Sequence, residues 1–265
     1  MTLTLGDGPL TTTPPEQTNY TVDGPPHRLL LSPFPRRVRA VFAGQVVLDT
    51  VEGRLLHESN MLPVLYVPTA DVSADLLVDS DHTTHCPFKG DARYWSIRVG
   101  DRTATDAVWG YPDPKAAAAW LEGYQAFYWD RLDAWFDEDE QVHGHLRDPY
   151  HRVDARRSSR HVVVRHGDVV LAESTRPVVV SETGLPNRFY LPAGDVRTDL
   201  LTSSTTRTHC PYKGDASYWS LRDGSGHDIA WSYETPFAEA LPAAGHLCLL
   251  GDGVTTEVDG VELPG

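Results

Sequence analysis

The chain has 265 residues, of which 40% are hydrophobic and 23% charged, and its formal net charge is −14. That composition suits a packed core in one large or two small domains and excludes a disordered chain. The acid excess, without a dense basic patch, sets aside nucleic acid and anionic membrane as main partners, and no apolar run approaches the roughly 20 residues of a membrane span.

In chain order, residues 1–26 are Thr- and Pro-rich and are expected to form a flexible N-terminal segment. Met1–Gly8 lacks the basic and then apolar pattern of a signal peptide. Three cysteines, Cys86, Cys210 and Cys248, do not make a secreted disulfide framework, so a cytoplasmic protein is expected. A first domain is predicted over 27–140. Its strand signals are Arg37–Phe42 and Gln45–Leu48, joined as a hairpin through Gly44, then Leu62–Val67, and then Tyr94–Val99. Asp113 and Pro114 predict the start of a short helix running to Leu121, and a closing strand is expected near Tyr124–Tyr128. The charged stretch 141–157 reads as a linker.

The second predicted domain, 158–265, repeats the first. His85-Cys86-Pro87-Phe88-Lys89-Gly90-Asp91-Ala92-Arg93-Tyr94-Trp95-Ser96 reappears 124 residues later as His209-Cys210-Pro211-Tyr212-Lys213-Gly214-Asp215-Ala216-Ser217-Tyr218-Trp219-Ser220. At the same offset Glu58 meets Glu182, and Tyr66 meets Tyr190. After a two-residue deletion, Trp109-Gly110-Tyr111 meets Trp231-Ser232-Tyr233. The period is too long for a solenoid, so this is a duplicated globular domain. Strands are expected at His161–His166, Val169–Ala172, Asn187–Leu191 and Tyr218–Arg222, with a short helix at Phe237–Leu241 and a closing strand at Gly245–Leu250. Each copy is thus read as an antiparallel sheet of roughly six to eight strands plus one small helix.

The repeated residues suggest several chemistries. Each copy supplies one motif cysteine and one motif histidine, short of the paired spacings of a zinc site, so no metal and no cofactor is expected. Cys86 and Cys210 can be read as thiolates activated by Lys89 and Lys213, with His57 as a base in copy one only, or as small buried residues; the second reading is favoured. On a strand His85 and Cys86 face opposite ways, which makes His85 a poor base for its neighbour. Lys89-Gly90 and Lys213-Gly214 suit either an anion-binding turn or ion pairs with Glu58 and Glu182, or with Asp91 and Asp215. Paired carboxylates for metal-dependent transfer occur as Asp79-Ser80-Asp81 but meet Ser203-Ser204-Thr205 in copy two. Tyr94, Trp95, Trp109 and Tyr111, with Tyr218, Trp219, Trp231 and Tyr233, are many large rings for small domains. One ring set is expected to fill the core and the other to wall a cleft.

The motif, the upstream Glu58 and Tyr66-Val67-Pro68-Thr69-Ala70-Asp71-Val72, and the downstream Trp109-x-Tyr111 resemble a family of bacterial and fungal domains, domain-of-unknown-function family 427. The resemblance covers nearly all of the chain from about residue 35. It implies a mainly β fold of two tandem β-tent-like domains, antiparallel sheets meeting at an angle. The family carries the label nucleotidyltransferase-like.

Together these observations predict a soluble protein with two clefts for a small planar or nucleotide-like ligand. The candidate ligand-binding residues are Glu58, Tyr66, Cys86, Lys89, Tyr94, Trp95, Trp109 and Tyr111, with Glu182, Tyr190, Cys210, Lys213, Tyr218, Trp219, Trp231 and Tyr233 in the second copy. An enzyme using the same cleft and a purely structural or interaction module are the alternatives.

Overall fold

A computed structural model describes residues 3–4, 8, 10–11, 17, 19 and 24–263. The expected flexible segment 1–26 therefore lies largely outside the described residues. The chain forms two compact units that divide between Asp148 and Pro149.

The first unit contains β1 (Leu29–Pro33), β2 (Val38–Phe42), β3 (Gln45–Thr50), β4 (Arg54–Glu58), β5 (Val64–Pro68), β6 (Leu77–Cys86), β7 (Gly90–Val99), β8 (Arg102–Gly110), β9 (Tyr124–Phe127), β10 (Ala134–Asp137) and β11 (Glu140–Val142). They make a seven-stranded sheet in the order β1-β4-β5-β9-β8-β7-β6 and a four-stranded sheet in the order β11-β10-β2-β3. The second unit contains β12 (Val153–Arg157), β13 (Val162–His166), β14 (Val169–Ser174), β15 (Val178–Glu182), β16 (Arg188–Pro192), β17 (Leu201–Cys210), β18 (Gly214–Leu221), β19 (Ala230–Tyr233), β20 (His246–Leu249), β21 (Val254–Val258) and β22 (Val261–Glu262). Its sheets run β12-β15-β16-β20-β19-β18-β17 and β14-β13-β21-β22, the same plan as the first. Every strand pairing is antiparallel. The fold is mainly β in two tandem halves, as expected.

Period-2 alternation sorts side chains onto the two faces of each large sheet. On β2, Val38, Ala40 and Phe42 point inward. The following turn, Ala43-Gly44, has positive φ at both residues, the type I′ geometry whose twist suits a two-residue hairpin. The inter-sheet core of the first unit gathers Phe34, Leu48, Leu55, Val67, Ile97, Val108, Phe127 and Trp135, with Trp95 packed against it. Each such side chain contributes about 1.5–3 kcal/mol on burial. The opposite face of the seven-stranded sheet carries a second cluster that includes Leu56, Tyr66, Tyr94, Tyr111 and Ala126.

That second face is covered by Ala116–Leu121, which the sequence predicts as a helix starting at Asp113. The segment is a 3-10 helix, kinked at Ala118, and Asp113 does not cap it. Its counterpart is the 3-10 helix Ala238–Ala243, which includes Pro242. Six residues are too few to nucleate a stable α-helix in isolation. The buried pairs Ala118/Leu121 and Ala240/Ala243 are three residues apart, the period of a 3-10 helix.

The acidic run Asp137–Glu140, at the end of the first predicted domain, is the turn of the β10–β11 hairpin, with Asp137 opposite Glu140. Two other elements differ from expectation. The expected linker 141–157 ends in β12, whose Val153 and Ala155 are buried against β15. Each unit has eleven strands among the described residues rather than six to eight. The largest additions are β6 and β17, ten-residue polar strands at the sheet edge. Among the described residues no helix is long and apolar enough to cross a membrane.

Candidate functional site

The motif turns do one local job in both units. Cys86 pairs with Gly90 to close the β6–β7 hairpin, and Cys210 pairs with Gly214 to close β17–β18. Gly90 and Gly214 have φ of 109° and 100°, a region L-residues scarcely enter. The turn is tied to the 3-10 segment: the Lys115 N–H donates to the Lys89 carbonyl at 2.9 Å, and the Phe237 N–H donates to the Lys213 carbonyl at 3.1 Å. This holds the lysine side chain over the second face of the sheet.

There Lys89 Nζ donates to the Glu58 carboxylate at the end of β4, and Lys213 Nζ donates to Glu182 at the end of β15. The side chains are nearly buried: Lys89 and Glu58 are 9% and 6% exposed, Lys213 and Glu182 12% and 10%. The lysines pair with Glu58 and Glu182, while Asp91 and Asp215 pair instead with His85 and His209, at 2.6 and 2.7 Å. Each amine also lies over a ring, Tyr111 at 5.9 Å and Tyr233 at 5.8 Å.

A histidine completes each cluster. His27 Nε2 is 2.8 Å from Glu58 Oε1, and His151 Nε2 is 3.7 Å from Glu182 Oε2. Each imidazole packs on the aromatic residue before the lysine: His27 on Phe88, stacked at 3.7 Å, and His151 on Tyr212, tilted at 4.3 Å. Sequence reasoning missed these histidines. The signal was present, because His27 and His151 stand at the same 124-residue offset as the motif.

Below the clusters lies an aromatic floor. Tyr66, Cys86, Tyr94, Trp109 and Tyr111 belong to one packed cluster, and Tyr190, Cys210, Tyr218, Trp231 and Tyr233 to its counterpart. The Trp231 Nε1–H donates to Tyr190 Oη at 3.0 Å. Tyr94 Oη and Thr84 Oγ1 are hydrogen-bonded at 3.0 Å, as are Tyr218 Oη and Thr208 Oγ1 at 2.9 Å. Trp95 and Trp219 do not join them, since they pack against the inter-sheet cores on the opposite face. The reason is the alternation of β7 and β18, which sends adjacent Tyr and Trp to opposite sides. His57 also lies elsewhere: its Nε2 is 3.1 Å from Ser32 Oγ, and its Nδ1 is 3.9 Å from Asp148.

Burial pushes the phenols of Tyr66, Tyr111, Tyr190 and Tyr233 well above the ordinary tyrosine value, so they remain neutral hydroxyls. It also pushes the Cys248 thiol, behind the second floor, up to about 12. For Glu182 burial acts to raise the pKa, but hydrogen bonding from His151 and the charge of Lys213 oppose it and hold the carboxyl at about 2. A group held there is a fixed carboxylate near neutral pH and a poor general acid. Among the described residues no three His, Cys, Asp or Glu side chains gather as metal ligands.

The depressed Glu182 value has a stability consequence. Its folded-state pKa lies below the ordinary 4.5, so its contribution is complete above about pH 4.5 and is lost as pH falls toward 2. After allowance for partial solvent access, the loss from this group is on the order of 2 kcal/mol. Denaturant titrations at pH 5 and pH 3 should show about half of this drop, roughly 1 kcal/mol, in the wild type and a smaller one in Glu182→Gln. An equal drop in both proteins would contradict the assignment.

A search of curated proteins finds no match. A family model does match, in two tandem segments that together cover most of the sequence. With residues 30–138 and 154–260 each matched by the model described as "Domain of unknown function (DUF427)", labelled NTP_transf_9, the chain belongs to that family as a tandem member.

Proposed function

We propose that each unit binds a small planar ligand of nucleotide-like size. The ligand lies against the Tyr-Trp-Cys floor, and its polar edge is read by the His-Glu-Lys cluster. The observation that carries this reading is the duplication of a nearly buried ionic cluster at matching positions, His27-Glu58-Lys89 and His151-Glu182-Lys213. Desolvation makes a buried ion pair little better for stability than well-packed apolar residues. Retention of the pair twice therefore favours recognition over stability alone. Half-buried Trp109 and Trp231, with neutral tyrosine hydroxyls beside them, supply the flat wall and directional donors common in small-molecule sites. The proposed setting is the cytoplasm, which three free thiols support.

One observation favours a second reading, a structural module: both lysine amines already point into glutamates and are nearly covered. Ligand-dependent stability separates the two. A panel of purine and pyrimidine nucleosides and mononucleotides is added to the full chain, and the melting transition is followed by intrinsic fluorescence. A true ligand at 100 times its dissociation constant stabilises by about 2.7 kcal/mol, a shift of several degrees. Trp231→Ala should reduce the shift by removing one of two sites. If no panel member moves the transition, the structural reading stands.

A further inference from the structure

The first unit holds an opening whose lining lies outside the motif. Between the 3-10 turn Trp129–Arg131 and the β10–β11 hairpin lies a cavity of about 430 Å³. That is within the range of small-molecule sites, about 300–1,000 Å³. Its lining includes Trp129, Trp135, Asp130, Asp133, Gln141 and His143.

Two indoles form one side. Trp129 and Trp135 stack with centroids 4.2 Å apart and planes 16° from parallel. Trp135 is buried, and its Nε1–H donates to the Trp129 carbonyl at 3.1 Å, so the inner ring is fixed and the half-buried Trp129 ring is the outer one. Carboxylates form the rim. Asp133 is anchored, taking both Arg102 guanidinium nitrogens at 2.7 and 2.8 Å and the Ala43 N–H at 2.7 Å. Asp130 is exposed and makes no ion pair or hydrogen bond among the described residues.

The second unit lacks this arrangement. Trp135 pairs with Ala40 on β2, and the equivalent register on β13, Val164, pairs with Thr256. Two residues beyond β9 stands Trp129, and two beyond β20 stands Gly251. The shared fold therefore does not require the indole pair.

We propose that this cavity binds an organic cation, an amine carrying methyl groups. An indole face attracts such a cation through its quadrupole while accommodating the methyl groups. An uncommitted carboxylate at the rim supplies the counter-charge, and the net charge of −14 draws cations toward the surface. This site is independent of the planar-ligand sites proposed above.

Tryptophan fluorescence of the full chain tests it, with tetramethylammonium and choline as probes and 3,3-dimethylbutan-1-ol as the uncharged isostere of choline. The expected result is saturable quenching by at least one ammonium, with the alcohol about tenfold weaker or more. Asp130→Asn should weaken the cation about fivefold at unchanged melting temperature, since the residue is exposed and unpaired. Trp129→Leu should abolish the response. The proposal is overturned if neither ammonium saturates below about 100 mM, the weak end of useful affinity. It is equally overturned if the alcohol matches choline, or if Asp130→Asn leaves the cation affinity unchanged. The last variant keeps the test decisive should Trp129→Leu fail to fold.

Discussion

Lys213→Met is expected to destabilise the second unit by about 3 kcal/mol. The substitution leaves the Glu182 carboxylate 10% exposed, without its closest cation. Removing one partner of a buried pair typically costs about 3–5 kcal/mol. The low end applies because His151, at 3.7 Å, stays beside the carboxylate. The informative partner is the double variant Lys213→Met/Glu182→Leu, which removes both charges and fills the space with apolar atoms. Exchanges of this kind are often neutral or stabilising by about 1–4 kcal/mol, so the double variant should recover most of the loss. Equilibrium denaturation of the full chain, fitted for its two units, measures both. A single variant as stable as the wild type would mean that the pair is solvated and the cluster open. A double variant as unstable as the single would mean that the site tolerates no apolar filling.

Gly90→Ala is the second large effect, about 3 kcal/mol in the first unit. Its φ of 109° is the first cause, since forcing a side chain into so sparse a region costs on the order of 1–3 kcal/mol. The second is space: an added Cβ would lie 3.3 Å from the Asp113 carbonyl oxygen, which is backbone and yields little. Gly44→Ala is the control. Gly44 also has positive φ, at 76°, but an added Cβ there meets nothing within 4 Å. It should cost only about 1 kcal/mol, the ordinary left-handed penalty. A difference near zero between the two variants would show that the Lys89 turn does not depend on its contact with the segment leading into Ala116–Leu121.

The duplication, the mainly β class and the β2–β3 hairpin were legible in the sequence, because all three rest on repeated or alternating apolar residues. The edge strands β6 and β17 were not. Thr202 to His209 has no apolar face, and an edge strand exposed on both sides needs none. The 3-10 segments read as helices because Asp113-Pro114 and the alanine run carry helix-start chemistry. What decided the outcome was the burial of two residues three positions apart. In the site, alternation correctly separated each Tyr from its neighbouring Trp but could not say which face would hold the lysine. Only the folded sheet brings the Lys89 turn of the β6–β7 hairpin to the end of β4, a strand far from that hairpin in the sheet order. His27 and His151 were missed for a simpler reason: they precede the first strand of each unit, outside the stretch where the matches cluster.

Ligand binding at the His-Glu-Lys clusters is decided by a calorimetric titration of the tightest ligand from the nucleoside and nucleotide panel into two proteins, the wild type and Lys213→Met/Glu182→Leu. Two sites per chain are expected in the wild type and one in the variant, at matched stability. Two sites in both proteins, or saturable binding in neither, would contradict this expectation.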